Sequence, residues 1–258
     1  MASVAARSGR VNEDFAGATA SAAVVVDGAG IPGLESVCRH GVAWYASRLG
    51  GTLLGLLTLD ASGLTKVLAD AIERVTDEHR DTCDVANPIG PSAAVAILRQ
   101  HDGIAEYLVL GDISLVLERP DDEPLVVTDP REVIISRAYE SALRATATGS
   151  DEYHRIIAEL RTHRNHPDGF WLAKDDPRAA DQAISGTCAA PAAALLSNGA
   201  SRLVDRFRLT DWPGLMAILA ACGPGEVIDR VRSAEARHAM PPDDATIIHW
   251  GRSPHSLR

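Results

Sequence analysis

Short acidic or amide-bearing clusters recur along the chain and carry the side chains most able to do chemistry. They are Asn12-Glu13-Asp14, Asp27-Gly28, Gly111-Asp112, Asn198-Gly199 and Asp243-Asp244. A single Asp or Asn often forms a turn, because its side chain hydrogen-bonds to nearby backbone. Several converging carboxylates repel one another unless hard cations such as Mg²⁺ or Mn²⁺, which prefer oxygen ligands, neutralise them. The clusters therefore indicate a metal site, with separate turn carboxylates as the alternative.

The elements that position these clusters are predicted to be short buried strands. Four clusters adjoin apolar runs, which cover residues 22–26, 107–110, 192–196 and 245–250. Runs of this length that are rich in aliphatic or β-branched residues favour strands. The carboxylates are therefore expected at strand ends.

The remaining pattern predicts strands in two groups with helix pairs between them. Helical spacing covers residues 34–49, 64–80, 129–147, 152–164, 212–222 and 226–239. Further strands are predicted over residues 90–100, 106–118, 125–128 and 187–197, with a hairpin turn at His101-Asp102-Gly103. This grouping favours a layered sandwich over a βαβ alternation.

Taken in order, the clusters resemble the motifs of the metal-dependent protein phosphatase family, the type 2C serine/threonine phosphatases. The first is similar to the family's Asn-Glu-Asp opening, and Asp27-Gly28-Ala29-Gly30 to its Asp-Gly-x-Gly element. The others are similar to its Gly-Asp-Ser, Leu-x-Ser-Asp-Gly and closing Asp-Asp/Asn-x-Thr motifs. The resemblance implies one domain over residues 1–258 and an α+β fold. That fold is a four-layer α-β-β-α sandwich, with two central antiparallel sheets flanked by helices.

The resemblance also implies the ligands of two Mg²⁺ or Mn²⁺ ions and a weaker third. Asp27 matches the carboxylate that bridges two metals, and the carbonyl of Gly28 is a further ligand. The other matched positions are Glu13 and Asp14 for the second metal, Asp243 as the last metal-binding Asp, and Asp112 for the third site. For Asp112, a hydrogen-bonded turn acid is the alternative. Asp244 is expected to be a turn residue.

Two positions depart from the family's pattern, and a third fits its bacterial type. The phosphate-binding Arg is replaced by Gly9, and Arg10 follows it, either reaching the same oxygens or lying solvated at the terminus. Asn198 stands where the family has a metal-binding Asp, so an uncharged amide oxygen is expected to bind one metal more weakly. Ala29 stands where many eukaryotic members have a His that acts as general acid, which fits the bacterial type.

These matches predict a metal-dependent phosphatase that hydrolyses phosphoserine or phosphothreonine in proteins with a metal-activated water as nucleophile. Two alternatives remain open. One is a regulatory or binding protein with impaired catalysis, favoured by Asn198 and the displaced Arg10. The other is a metal-dependent hydrolase of a small phosphorylated metabolite. Residues 165–186, rich in turn formers, are expected to form a flap at the cleft.

The composition of the chain argues against several other classes of protein. The 258 residues carry a net charge of −10, which disfavours nucleic acid and an acidic membrane as partners. No apolar span of membrane length is present in the sequence, so a cytoplasmic protein is expected. The four cysteines lack Cys-x-x-Cys spacing, which argues against a zinc ribbon or a disulfide framework and favours reduced, mostly buried thiols.

Three other groups of residues are assigned to structure. His163 and His166 are expected to be solvated loop residues, because no third metal ligand lies near them in the sequence. Trp171 is expected to pack under its loop, with contact to substrate as the alternative. Asp121-Asp122-Glu123 is expected to form an exposed turn.

Overall fold

Two five-stranded antiparallel sheets form the centre of the molecule. The computed structural model describes residues 1–30, 37–59, 61–119 and 122–251. The strands within these ranges are β1 (Ala2–Val4), β2 (Phe15–Ala18), β3 (Ala22–Ala29), β4 (Ser92–His101), β5 (Ile104–Leu110), β6 (Ser114–Arg119), β7 (Asp122–Val127), β8 (Ile184–Ala189), β9 (Ala192–Leu196) and β10 (Ala245–Gly251). One sheet has the order β1-β10-β9-β6-β7, and the other has the order β2-β3-β4-β5-β8.

Eight α-helices accompany the two sheets within the described ranges. They are α1 (Gly41–Leu59), α2 (Leu64–His79), α3 (Arg131–Ser136), α4 (Glu140–Ala145), α5 (Asp151–Arg161), α6 (Asn198–Asp205), α7 (Trp212–Cys222) and α8 (Pro224–Arg237). Helices α1 and α2 pack on the β2-to-β8 sheet, and α6, α7 and α8 pack on the β1-to-β7 sheet. The predicted four-layer α-β-β-α sandwich is confirmed.

Alternation along β3 shows how the sequence builds these layers. Val24 and Val26 point toward α1 and α2, whereas Ala23 and Val25 point toward the other sheet. Both sets are buried, because each face of a central strand is covered and side chains alternate between the faces. A continuous apolar run followed by Asp27 therefore places the carboxylate where the buried part of the strand ends.

Two predicted strands are each divided between the sheets, so those predictions were wrong. The run 106–118 forms β5 in one sheet and β6 in the other, with the chain crossing at Gly111-Asp112. Gly111 has φ +85°, and a Cβ there would lie 2.8 Å from the Cβ of Ala94, so glycine suits this crossing. The run 187–197 likewise forms β8 and β9, interrupted at Ala190-Pro191, where proline cannot donate to a ladder.

The observed helices differ from the predicted ones mainly at their ends. Residues 34–36 of the first lie outside the described ranges, and α1 continues to Leu59 because Leu53, Leu56 and Leu57 extend its buried face. The single helix predicted over residues 129–147 is two short helices, α3 and α4, neither of which has a buried residue to extend it. Within the described ranges, no helix is both long and apolar enough to cross a membrane.

Part of the segment 165–186 packs into the core, and its role as a flap stays a prediction. Phe170 and Leu172 are buried between the sheets, and Ala173 pairs with Ala93 through two backbone hydrogen bonds of 2.9 Å. A 3₁₀ helix (Pro177–Gln182) then packs against α2. Opening this segment would expose core residues. Trp171 is buried, which confirms the packing role predicted for it.

Candidate metal centre and cleft

The predicted site residues meet at one end of the sandwich, between the two sheets. Asp27 lies near the end of β3, Asp112 at the crossing from β5 to β6, Asn198 at the start of α6 and Asp243 just before β10. These residues, with Arg10, Glu13 and Gly28, line a cleft of about 840 Å³. The structure therefore brings together residues that are more than 200 positions apart in the sequence. Their roles as metal ligands stay predictions.

Asn198 connects two of the carboxylates directly. Its backbone N–H, in the first turn of α6, donates to Oδ2 of Asp27 at 2.9 Å. Its side-chain Nδ2 donates to Oδ2 of Asp112 at 3.1 Å. The N-terminal end of a helix also carries partial positive charge, which favours a carboxylate there. An Asp at position 198 would keep the first hydrogen bond and lose the second.

The acidic residues of the cleft are electrostatically unfavourable without a counter-charge. Burial raises the pKa of Asp27 well above its ordinary value, and the neighbouring carboxylates of Asp14 and Asp112 raise it further. Burial likewise raises the pKa of Asp112, and that of Asp14 to about 6. A divalent cation would relieve this repulsion, because opposite charge favours the ionised form.

Asp14 lies behind the cleft wall and carries the clearest sign of a missing ligand. Its Oδ2 is buried and has no hydrogen-bond partner. A buried carboxylate oxygen without a donor is unusual in folded proteins, and it calls for an ion or a water. With the Asp27 and Asp112 oxygens in the adjoining cleft, the donor set is all oxygen and suits Mg²⁺ or Mn²⁺.

Asp243 is engaged by an arginine that the sequence did not indicate. Nη2 of Arg202, one turn into α6, lies 2.7 Å from Oδ2 of Asp243, and Nη1 lies 2.7 Å from Glu235 on α8. The side chain of Asp243 is 48% exposed. A cation bound by Asp243 would compete with Arg202 for this carboxylate.

Asp244 organises the N-terminal segment, and its predicted role as a turn residue was wrong. Its buried carboxylate accepts the backbone N–H of Ala6 at 2.6 Å and that of Glu13 at 2.7 Å. On the opposite side, a Cβ at Gly28 would lie 2.3 Å from the carbonyl oxygen of Glu13. The absence of a side chain at Gly28 therefore lets residues 12–14 approach the end of β3.

Arg10 lines the cleft but is already paired. Its Nη2 lies 3.2 Å from Oε2 of Glu13, and its side chain is 46% exposed. Burial raises the pKa of Glu13, although Arg10 acts in the opposite direction. Arg10 is therefore placed to meet a substrate at the rim, at the expense of an exposed ion pair that contributes little stability.

Sequence reasoning missed two charged residues in the cleft, Glu132 and Arg161. Nη1 of Arg161 is buried without a hydrogen-bond partner and lies 3.8 Å from Oε1 of Glu132. Burial raises the pKa of Glu132 to about 7, with a further contribution from Asp112 and opposition from Arg161. No motif marked either residue, since Glu132 lies in α3 and Arg161 ends α5, both outside the acidic clusters.

The residues assigned to structure behave mostly as expected. His163 bonds to the Tyr139 hydroxyl at 2.9 Å and His166 is exposed, and neither lines the cleft. Asp121 lies outside the described residues. Asp122 and Glu123 are exposed, but they begin strand β7 and do not form a turn, so that prediction was wrong in part. Their neighbour Arg119 pairs with Asp122 across the hairpin.

Solved structures with a similar fold are bacterial phosphatases. The Mycobacterium tuberculosis serine/threonine phosphatase PstP/Ppp has a TM-score of 0.59 and 16% identity, covering 98% of this chain and 97% of its own. The PPM Ser-Thr phosphatase MsPP from Mycobacterium smegmatis, in complex with cacodylate, has a TM-score of 0.57 and 17% identity, with coverage of 98% and 97%. The catalytic domain of PstP with two manganese ions has a TM-score of 0.58 and 15% identity, with coverage of 96% and 94%.

Sequence comparison gives no closer assignment. No family model matches the chain, and no curated protein sequence matches it. At 15–17% identity the structural likeness shows the fold alone. Activity, metal and substrate have to be argued from the cleft.

Proposed function

We propose that this chain, which has the fold of the PPM or type 2C serine/threonine phosphatases, hydrolyses phosphate monoesters with the help of Mg²⁺ or Mn²⁺. One observation carries the proposal: buried carboxylates that raise one another's pKa meet at a substrate-sized cleft. Such an arrangement lowers stability unless cations are bound. Perturbed acidic groups in a cleft are typical of functional sites.

The donor set fits divalent cations. Asp27, the Gly28 carbonyl and Asp112 supply oxygen atoms in the cleft, and the unpartnered Oδ2 of Asp14 lies just behind it. Glu13 and Asp243 could complete the shell from the rim. When bound, such ions would lower the pKa of a water and polarise the phosphate. The related PstP domain is described with two manganese ions, which is consistent with this donor set.

Two arginines are placed to bind the phosphate. Arg10 lies on one side of the cleft, and Arg161 lies on another with Nη1 free of any hydrogen bond. Guanidinium groups match phosphate oxygens with two parallel N–H bonds. We assign the main phosphate contact to Arg161, whose buried Nη1 has no hydrogen bond to give up and would turn from Glu132 into the cleft. Arg10 would make a supporting contact.

Glu132 is suited to give a proton to the leaving group. Its pKa of about 7 leaves it partly protonated at neutral pH, and it lines the same cleft as Asp27. Ala29, on β3, offers no acid there. A general acid works best when its pKa lies near the working pH. Glu132 would therefore protonate the oxygen that leaves as phosphate is transferred to water.

The substrate we favour is phosphoserine or phosphothreonine in a protein, because structures similar in fold are described as serine/threonine phosphatases. A small phosphorylated metabolite is the alternative substrate. Binding without turnover is favoured by two contacts: Arg202 holds Asp243, and the Asn198 amide holds Asp112. Both contacts occupy carboxylates that a metal would need.

The test compares wild type with Asp27→Asn and a control, Asp229→Asn, at an exposed position on α8. Hydrolysis of an aryl phosphate and of a phosphothreonine peptide is measured while Mn²⁺ or Mg²⁺ is titrated. Wild type and control should show metal-dependent turnover. Asp27→Asn should fall to background with an unchanged circular dichroism spectrum.

The outcomes separate the candidate functions. Turnover of the aryl phosphate alone supports a metabolite substrate. No turnover at saturating Mn²⁺, together with phosphopeptide binding, supports the binding protein. Equal activity of wild type and Asp27→Asn contradicts the metal centre proposed here.

A further inference from the structure

Two cysteines and two histidines form a compact group between α1 and α2, beside the acidic cleft. One ligand atom from each residue lies within 4.8 Å of all the others, in a set made of Cys38, His40, His79 and Cys83. We call this set the Cys₂His₂ cluster. Its first pair directly precedes α1, and its second pair lies at and just beyond the end of α2. The cluster therefore joins the start of one helix to the end of its antiparallel neighbour.

The spacing within the cluster matches a tetrahedral metal site. The two Sγ atoms lie 3.4 Å apart, and Sγ of Cys38 lies 3.8 Å from Nδ1 of His79. Nδ1 of His40 lies 3.9 Å from Sγ of Cys38 and 3.4 Å from Sγ of Cys83. Zinc–sulfur bonds of about 2.3 Å and zinc–nitrogen bonds of about 2.0 Å give tetrahedron edges of roughly 3.3 to 3.8 Å. The atoms thus need only small shifts to bind one ion.

We propose that the Cys₂His₂ cluster binds one structural zinc ion. Thiolate and imidazole ligands select zinc, whereas Mg²⁺ and Mn²⁺ prefer the oxygen ligands of the acidic cleft. Four protein ligands leave no open coordination position, so the ion would have a structural and not a catalytic role. This is a site separate from the one on which the proposed phosphatase activity depends.

The surroundings of the cluster favour a bound ion over unrelated core side chains. Cys38 and His79 are buried, and the ring of Trp44 stacks on His40 with centroids 4.3 Å apart. Both cysteines are free thiols even though their sulfurs nearly touch. Nearby, Lys174 is already engaged by Asp175 and the carbonyl of Val85. Burial of two ligands and stacking on a third fix their orientation, which strengthens metal binding because less ordering is needed.

The position of the cluster has a consequence for the cleft. Cys38 and His40 line the cleft as well, with Gly41 and Val42 of the next helix. An ion held by the cluster would fix this wall relative to the carboxylates on the opposite side. Zinc would then order the substrate-binding surface without taking part in the reaction.

The experiment uses Co²⁺ as a spectroscopic probe in the full chain, kept reduced and stripped of metal. Co²⁺ bound by thiolates in a tetrahedron gives sulfur-to-metal charge-transfer bands and strong visible bands, which oxygen ligands do not give. The matched variants are Cys83→Ser, within the cluster, and Cys222→Ser, an exposed cysteine on α7. Asp27→Asn serves as the control for the acidic site.

Wild type, Cys222→Ser and Asp27→Asn should each develop these bands with one equivalent of Co²⁺ and lose them when one equivalent of Zn²⁺ is added. Zinc should also raise the melting temperature of these three proteins. Cys83→Ser should lack the charge-transfer intensity of the wild type and show no such rise. If Cys83→Ser does not fold, His40→Ala provides the same test at another half-buried ligand.

Three results would overturn the proposal. The first is the absence of charge-transfer bands from wild type. The second is an equal zinc affinity in wild type and Cys83→Ser. The third is a Cys38–Cys83 disulfide in protein purified under reducing conditions, detected by mass spectrometry, which would assign the two thiols to redox chemistry.

Discussion

Replacing Asp14 by Asn should stabilise the metal-free protein, although it removes a proposed metal ligand. The carboxylate is buried, its Oδ2 has no hydrogen-bond partner, and Asp244 and Asp243 add repulsion. Asparagine has nearly the same shape without the charge. In most proteins, loss of a buried polar contact lowers stability. Here Oδ2 has no hydrogen bond to lose, and the hydrogen bonds from the side chains of Thr246 and Ser197 can pass to the amide oxygen of Asn.

The size of the expected gain in stability follows from the shift in the pKa of Asp14. Asp14 has a pKa of about 6 in the folded chain and an ordinary value of 3.8. At about 1.4 kcal/mol per unit, ionised Asp14 disfavours folding by roughly 3 kcal/mol at pH 7.5. An amide N–H that finds no acceptor would take back about 1 to 2 kcal/mol. The net gain should be about 1 to 2 kcal/mol, or roughly 2 to 8 °C in Tm for a chain of this size.

The sign of this stability difference can be checked by varying the pH. A carboxyl whose pKa is raised on folding contributes stability at low pH, and that contribution is lost as pH rises through the folded value. For Asp14 the relevant window lies between its ordinary pKa of 3.8 and its folded value of about 6. The penalty should fall to roughly half at pH 5, because the folded state then binds the proton. The advantage of Asp14→Asn should therefore shrink as pH falls.

Urea unfolding followed by circular dichroism, in chelator-treated buffer at pH 7.5 and pH 5, measures this difference. Asp229→Asn is the matched control, because that side chain is exposed and its substitution should change little at either pH. Saturating Mn²⁺ should stabilise wild type more than Asp14→Asn. A metal-free Asp14→Asn that is less stable than wild type at pH 7.5, or a difference that does not depend on pH, would refute the reasoning.

Three further substitutions test other parts of the cleft. Asn198→Asp removes the 3.1 Å hydrogen bond to Asp112 and adds a charge, so the Tm of the metal-free protein should fall. The affinity for Mn²⁺, measured by calorimetry, should rise roughly tenfold. A weaker affinity would contradict the metal role of this position. Arg161→Ala should raise KM for an aryl phosphate roughly tenfold with a smaller effect on kcat, and an unchanged KM would assign this residue to structure. Asp244→Asn weakens the hold on the N-terminal segment, so stability should fall by about 1 to 3 kcal/mol and trypsin should cleave sooner after Arg10; unaltered digestion would mean that other contacts hold the segment.

The sequence predicted elements well where one pattern fills one element. The helix predicted over residues 212–222 is α7 (Trp212–Cys222), and the final apolar run is β10. Strand prediction failed where a continuous apolar run passes from one sheet to the other, at Gly111-Asp112 and at Ala190-Pro191. The run stays apolar across the crossing because both sheets bury both faces of their central strands. Apolar periodicity reports burial and does not report which partner strand provides it.

The acidic residues of the site could be found from motifs, but their neighbours could not. Asp27 and Asn198 were recognisable from adjoining sequence, whereas the pairing of Asp243 with Arg202 depends on the packing of α6. Arg161 belongs to no sequence motif, and only the structure shows that its buried Nη1 has no hydrogen-bond partner. These contacts are tertiary, so no local pattern encodes them.

The Cys₂His₂ cluster shows the same limit at longer range. Cys38 and Cys83 lie 45 positions apart, so no spacing pattern links them in the sequence, and among the four cysteines only Cys38 is buried. The prediction of mostly buried thiols was therefore wrong. The antiparallel pairing of α1 and α2 brings Cys38 to Cys83, and the adjacent histidines complete the group.

Contacts between the two ends of the described chain limit the order in which the protein can fold. Strand β1 pairs with β10, and Asp244 accepts hydrogen bonds from Ala6 and Glu13. Contacts between residues that are far apart in sequence form slowly, because a long loop must close first. During synthesis the chain is extended from its N-terminus, so the segment 12–14 must wait for residues 243–251 before it can settle. A growing chain therefore has no assembled acidic cleft until residues 243–251 have been made and have left the ribosome.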